Sequence, residues 1–234
     1  MATSTTPSSG RRRRSNRERI IEASLRLFNE KGARNVTTNH IAAHLGISPG
    51  NLYYHFRNRE EIIRALYETG AEEARSGLTL PEGGRLSAAD LGRYYLTGIE
   101  VVWKYRFFFR DIDELLLRDP LLASSFADLQ TWMIEQMRTV MERLIEQGDM
   151  RAPDPVEDLE RLAENGFILW TSWVRFLAAS RPNLELRPAH VVEGALHNFL
   201  TFAAYVNPSF AEQVRAVLVA RPGKASSHKS LRRR

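Results

Sequence analysis

Apolar residues recur at helical spacing along nearly the whole chain, and no run of alternating β-branched residues reaches strand length, so a sheet-based fold is excluded first. Ile20, Ala23, Leu27 and Phe28 fall at i, i+3, i+7 and i+8. That stripe predicts a helix from about Ser15 to Lys31, with Gly32 as its left-handed stop. Thr37 is placed to cap a second helix with Ile41, Ala42 and Leu45 on its inner face, ended by Gly46. Ser48 followed by Pro49 reads as an N-cap with proline in the first turn, opening a short helix to His55. A fourth helix is expected from about Asn58, with Ile62, Ile63, Leu66 and Tyr67 apolar. After Gly77 the turn-rich LTLPEGGRL marks a boundary. Beyond it about six more helices are expected to Ala220, broken near Phe107, at Asp119-Pro120, across GDMRAPDP and RPNLELRP, and at Asn207-Pro208. The expectation is an all-α chain with domains at 15–77 and 78–220. Residues 1–14 and 221–234 lack periodicity and read as disordered basic ends.

The chain has 234 residues and 0 Cys, which excludes disulfides, thiolate nucleophiles and cysteine-based metal sites. No stretch approaches the roughly 20 apolar residues of a membrane span, and the N-terminus lacks the apolar core of a secretory signal, so a cytoplasmic protein is expected. The net charge of +5 conceals an asymmetry. Residues 11–59 carry 11 Lys and Arg against 3 Asp and Glu, whereas residues 60–220 carry 16 against 25. A basic end on an acidic body suits a polyanion at that end alone.

The two short helices joined at Gly46-Ile47, behind a longer supporting helix, form a helix-turn-helix. Gly46 permits the positive φ of the corner, and Ile47 is placed to pack with Leu45 and Leu52. The whole run IIEASLRLFNEKGARNVTTNHIAAHLGISPGNLYYHFRNREEIIRALYE, and ISPGNLYYHFRNREEI above all, resembles the DNA-binding domain of the TetR family of bacterial repressors over about residues 15–73. YYLTGIEVVWKYRFFFRDIDELLLRDP resembles one of the family's ligand-domain subclasses. The resemblance implies an N-terminal three-helix DNA-binding domain and a C-terminal helical domain for ligand binding and dimerisation. It also implies a homodimer on a palindromic double-stranded operator, released when an effector pocket fills.

Thr37, Thr38 and Ser48, at helix starts, are placed where a phosphate sits. Pro49, Gly50 and Asn51 form the first turn that faces the major groove, and Asn51 alone carries a hydrogen-bonding side chain, most readily for adenine. Tyr53, Tyr54 and His55 match the family's phosphate and sugar contacts, one tyrosine having a thymine methyl as an alternative. Arg59 matches a position the family usually fills with lysine, implying a phosphate contact. Arg11, Arg12, Arg13 and Arg14 precede the first helix and read as an arm along phosphates or into a narrowed minor groove, against the alternative of a solvating tail.

Enzymatic and metal signatures carry little. His40 and His44 are spaced as in a zincin, but Ile41 stands where the general base belongs. His190 and His197 have no third ligand at a characteristic spacing, and Asp111, Asp113 and Glu114 suit surface ion pairs. No cofactor, no metal and no catalytic activity is expected. Of 22 aromatic residues, 17 lie beyond residue 77. With the spaced methionines they suggest a wide apolar cavity, and Trp103, Phe107, Trp132, Met133, Met137, Phe167 and Trp170 are the candidates to hold a mostly apolar effector. The helices near 157–179 and 188–206 are apolar nearly all round, suggesting a dimer bundle. Gly166, Gly194 and Ala195 would allow close approach, with Trp173, Phe199 and Phe202 buried between subunits. The competing expectation is a constitutive DNA-binding protein whose C-terminal half only dimerises.

Overall fold

The computed structural model describes residues 15–81, 83–180, 187 and 189–220. Arg11 to Arg14 and the basic tail at 221–234 lie outside the described residues. Helices α1 (Asn16–Lys31), α2 (Thr38–Leu45), α3 (Pro49–His55) and α4 (Arg59–Leu78) come first. They are followed by α5 (Ala88–Lys104), α6 (Arg106–Arg110), α7 (Ile112–Arg118), α8 (Pro120–Glu146), α9 (Asp158–Ser180), α10 (Ala189–Leu200) and α11 (Pro208–Val219). Among the described residues the β structure is a single bridge between Met150 and Val206.

The first compact unit ends at Leu66. Its core joins Ile20, Leu27 and Phe28 of α1, Ile41 of α2, Leu52 of α3, and Ile62 and Leu66 of α4, all buried. Local chemistry fixes its corners. Ser15, Thr37 and Ser48 accept hydrogen bonds from the amides of Glu18, His40 and Asn51, satisfying donors that a helix start leaves unpaired. Gly46 adopts φ 65°, ψ 32°, the left-handed turn between α2 and α3. Gly46→Ala should therefore cost about 1 kcal/mol of stability, read as a lower urea midpoint at unchanged m-value. Gly32 differs from expectation: φ is positive at 83°, but ψ of 143° is extended, because the chain leaves α1 into a 3-10 turn at Ala33–Asn35. Leu45 and Ile47 are half-buried, leaving Leu52 to fill the small core.

The second unit begins at Tyr67, inside α4, eleven residues before the boundary expected at 77/78. The last three turns of α4 belong to this unit's packing: Gly70 lies under the Tyr105 ring, and Ala74 and Leu78 are core residues. Here α5 packs against α9, α10 and α11, and α8 packs along α9. Gly98 of α5 lies so close to Trp170 of α9 that a Cβ would come within 2.5 Å of the indole. The connection from α4 to α5 is anchored to α8. Arg143 donates to the carbonyls of Pro81, Gly83 and Gly84, Gln147 exchanges two hydrogen bonds with the Leu86 backbone, and Arg85 pairs with Asp149 at 2.7 Å.

Two expected helices divide differently. The break near Phe107 falls on either side of it, at Tyr105 and Asp111, so Phe107 sits inside the short α6. The helix expected to 206 stops at Leu200, and a 3-10 turn at Ala203–Tyr205 follows.

Candidate nucleic-acid interface and effector cavity

Pro49, Gly50 and Asn51 are exposed on the first turn of α3, beside the start of α2. A Cβ at Gly50 would meet only Ser48 Oγ, at 3.9 Å, so nothing in the chain's own packing requires glycine there. The Thr38 hydroxyl lies 3.1 Å from the Tyr53 hydroxyl, tying α2 to α3 on this surface. Tyr53 is half exposed, and Tyr54 is 85% exposed with its ring edge-on to His55. Thr37 and Ser48 spend hydroxyl oxygens on their caps and keep hydroxyl protons that a phosphate can accept. His40 Nδ1 accepts from the Thr37 amide and His44 lies 2.7 Å from Arg26, so both histidines have local partners.

Arg59 also has partners within its own unit. Its guanidinium is mostly buried and donates to the Ala33 carbonyl at 3.1 Å and to Glu60 Oε1. It braces the 3-10 turn after α1 against the start of α4, and two of the five guanidinium N–H donors take no part in these bonds. Sequence reasoning also missed Asn16, whose side chain meets Asn51 across 35 residues of chain. No local pattern signals so distant a pair.

The second unit contains a partly open cavity of about 40 Å³ walled by α4, α5, α6, α8 and α9. Of the residues expected to hold an effector, Phe107, Met133, Phe167 and Trp170 line it, joined by Tyr67, Gly70, Ala71, Ala74 and Leu78 of α4, and by Gly98, Tyr105, Phe108, Phe126 and Thr171. Aromatic rings run continuously along one wall: Tyr67 to Phe108 at 5.2 Å, Phe108 to Phe126 at 5.9 Å, and Phe126 to Phe167 at 6.2 Å. The hydroxyls of the wall are already engaged, whereas the Trp170 Nε1–H has no partner among the described residues. Tyr67 donates to the Ser125 carbonyl, Tyr105 to Glu73 Oε1, and Thr171 to the Phe167 carbonyl. Burial pushes the Tyr67 and Tyr105 hydroxyls well above the ordinary tyrosine range, and the Glu73 carboxylate raises Tyr105 further, so both stay protonated.

Trp103, Trp132 and Met137 do not line this cavity. Trp103 and Trp132 each sit one residue, or 100° of helix rotation, from the lining positions Val102 and Met133. Trp103 instead stacks with Arg106, and Trp132 with Arg75. Met137 lies a turn beyond Met133 and packs on Gly166 where α8 crosses α9.

The expected dimer residues are also placed otherwise. Trp173, Ala195, Phe199 and Phe202 are at most 5% exposed within the single chain, and Gly166 and Gly194 are buried too. Gly194 receives the Trp173 ring, and Asn198 donates to the Gly166 carbonyl at 2.6 Å. These residues form the subunit's own core. The outward faces of α9 and α10 instead carry Ile168 and Phe176, both more than half exposed, with Leu200 at 48%. Leu169, Val192 and Leu196 lie half-buried beside them.

A family model described as a bacterial transcriptional repressor, TetR, matches residues 71–214, and one described as bacterial regulatory proteins, tetR family, matches residues 20–66. The HTH-type transcriptional repressor AcnR of Corynebacterium glutamicum is 27% identical over 160 residues, which is 65% of this chain and 79% of that relative. A TetR-family regulator from Marinobacter aquaeolei VT8 superposes with a TM-score of 0.78 at 33% identity, covering 89% of this chain and 100% of its own. The SmeT–triclosan complex shares the fold, with a TM-score of 0.56 at 20% identity over 84% of this chain and 94% of its own. The matched family consists of DNA-binding regulators and not enzymes. With family models matching both ends and a helix-turn-helix in its first unit, the chain belongs to the TetR family of bacterial transcriptional repressors.

Proposed function

We propose that the chain works in the bacterial cytoplasm as a homodimer, holding a palindromic operator with one α3 per subunit and releasing it when a neutral, mostly apolar molecule enters the cavity. Residues 15–77 then act as reader and 78–220 as sensor and dimer surface. At the operator, Asn51 reads a base, and the uncrowded Gly50 lets the backbone approach the groove floor. Tyr53, Tyr54, His55, Thr37, Thr38 and Ser48 contact phosphate and sugar. The exposed Ile168, Phe176 and Leu200 pack across a two-fold axis as a four-helix bundle. Among the described residues no helix is long and apolar enough to cross a membrane.

One observation carries the regulatory reading: the cavity wall includes five residues of α4, whose first two turns belong to the reader's core. The cavity is far below the roughly 300–1,000 Å³ of sites that hold drug-sized ligands. An effector must therefore widen it, and widening shifts α4. Only a ligand that prefers the widened state moves the equilibrium. A coupling of about 1–3 kcal/mol is typical of such pairs, a roughly 5- to 150-fold loss of operator affinity. The small volume also favours a second reading, a constitutive repressor whose second unit only dimerises.

Fluorescence anisotropy of a labelled operator separates the two. The probes are 2-methoxynaphthalene and 2-naphthoate, alike in shape and different in charge. Because the wall's hydroxyl protons are already donated, a buried carboxylate would find at most one neutral donor, the Trp170 indole N–H, and would be buried at a cost of several kcal/mol. The neutral probe should release the operator, and the anion should be weaker by at least about 100-fold. Release by neither, with no change in tryptophan emission, would favour the constitutive reading.

A further inference from the structure

Asn51 has a side-chain partner for one end of its amide. Its Oδ1 accepts a hydrogen bond from Nδ2 of Asn16, the first residue of α1, at 3.3 Å. Asn16 Oδ1 accepts in turn from an Arg19 guanidinium nitrogen at 2.9 Å, and the other terminal nitrogen of Arg19 points to the Leu45 carbonyl at 3.5 Å. The direction of this relay follows from chemistry. A guanidinium only donates, so the Asn16 atom facing Arg19 must be its oxygen. The Asn16 atom facing Asn51 must then be its amino group, and the Asn51 atom facing Asn16 must be its oxygen. The Asn51 backbone N–H is already given to Ser48 Oγ at 3.2 Å. What remains for DNA is the Nδ2 amino group with both of its protons, and the second lone pair of Oδ1.

An asparagine that reads adenine bidentately offers its oxygen to N6 and its amino group to N7 in one plane. Here one lone pair of Oδ1 and the tilt of the amide plane are set by α1. We infer that Asn16 is a positioning residue that fixes the polarity of Asn51, so that α3 selects base edges presenting acceptors, guanine O6 and N7 above all, and disfavours cytosine with its N4 donor. The inference rests on the reading that Asn51 touches a base.

Asn16→Asp tests it because it reverses the relay without removing it. A carboxylate cannot donate, so Asn51 must turn Nδ2 toward it and present Oδ1 to the groove. Aspartate in the first turn of a helix also suits the helix dipole and keeps a partner for Arg19, so the variant should fold, as its melting temperature checks. The full-length parent, Asn16→Asp and Asn51→Ala are each used to select duplexes from a library with randomised positions, and the bound sequences are read out. The parent should enrich guanine at one position of each half-site. Asn16→Asp should shift that position toward cytosine or adenine, changing the guanine-to-cytosine ratio on the order of tenfold, as for one hydrogen bond exchanged for its opposite. Asn51→Ala should flatten the same position. If Asn51→Ala flattens it while Asn16→Asp keeps the parent's preference, the polarity relay is overturned and the base contact stands. If Asn51→Ala changes no position, the base contact falls and the relay's role falls with it.

Discussion

Replacing Ile168 and Phe176 together by aspartate should yield a folded monomer whose affinity for a palindromic operator is lower by roughly 100- to 10,000-fold, the range by which linking two half-site contacts exceeds one. Both side chains are more than half exposed in the single chain, so the charges meet water in the monomer and oppose each other only across a dimer. The variant should still unfold cooperatively, at a melting temperature lowered by the stabilisation that dimerisation supplies, while sedimentation at micromolar concentration should show the parent at twice the mass of the variant. A parent that sediments as a monomer, or a double variant that binds as the parent does, would remove the two-fold arrangement. Aspartate at Ala195 would be uninformative, because that residue is fully buried within the subunit and the variant would fail to fold.

Trp170→Ala should lower the unfolding free energy by about 3–5 kcal/mol, the range for deleting a fully buried aromatic side chain. The indole is fully buried, fills the notch left by Gly98 and packs against Tyr94 and Tyr95 at 5.6 and 5.9 Å between ring centroids. Its Nε1 has no hydrogen-bond partner among the described residues, so the loss is one of packing, with no abandoned acceptor to add to it. The void adjoins the cavity, and indole added to the variant should restore stability in proportion to the logarithm of its concentration. Urea titrations with and without indole measure both effects. A loss below about 1 kcal/mol would mean that the α5–α9 crossing is not the close contact described.

The parts of the fold written in local chemistry were legible in the sequence. Ser15, Thr37, Ser48 and Gly46 stop and start helices through bonds to residues within four positions, which a pattern of caps and glycines reveals. Periodicity marks which face of a helix is apolar but not what covers it. Trp173 and Phe199 lie on apolar helices equally able to pack within a subunit or between two, and packing within the chain claims them. Trp103 and Trp132 were lost to a rotation of one residue, finer than the width of an apolar stripe. The contribution of α4 to the cavity was hidden for a different reason: Gly70, Ala71 and Ala74 are small, and small residues carry no signal of the space they leave. The bond of Arg59 to the Ala33 carbonyl joins residues 26 positions apart and left no local signal.

The central claim is that two copies of this chain read one symmetric DNA site. Selection of duplexes by the full-length protein, followed by hydroxyl-radical footprinting of the winning sequence, tests it most directly. The account predicts an inverted repeat whose half-sites are protected on one face of the duplex, their centres about 34–36 Å or a multiple of that apart. A single unrepeated site, or protection without two-fold symmetry, would contradict it.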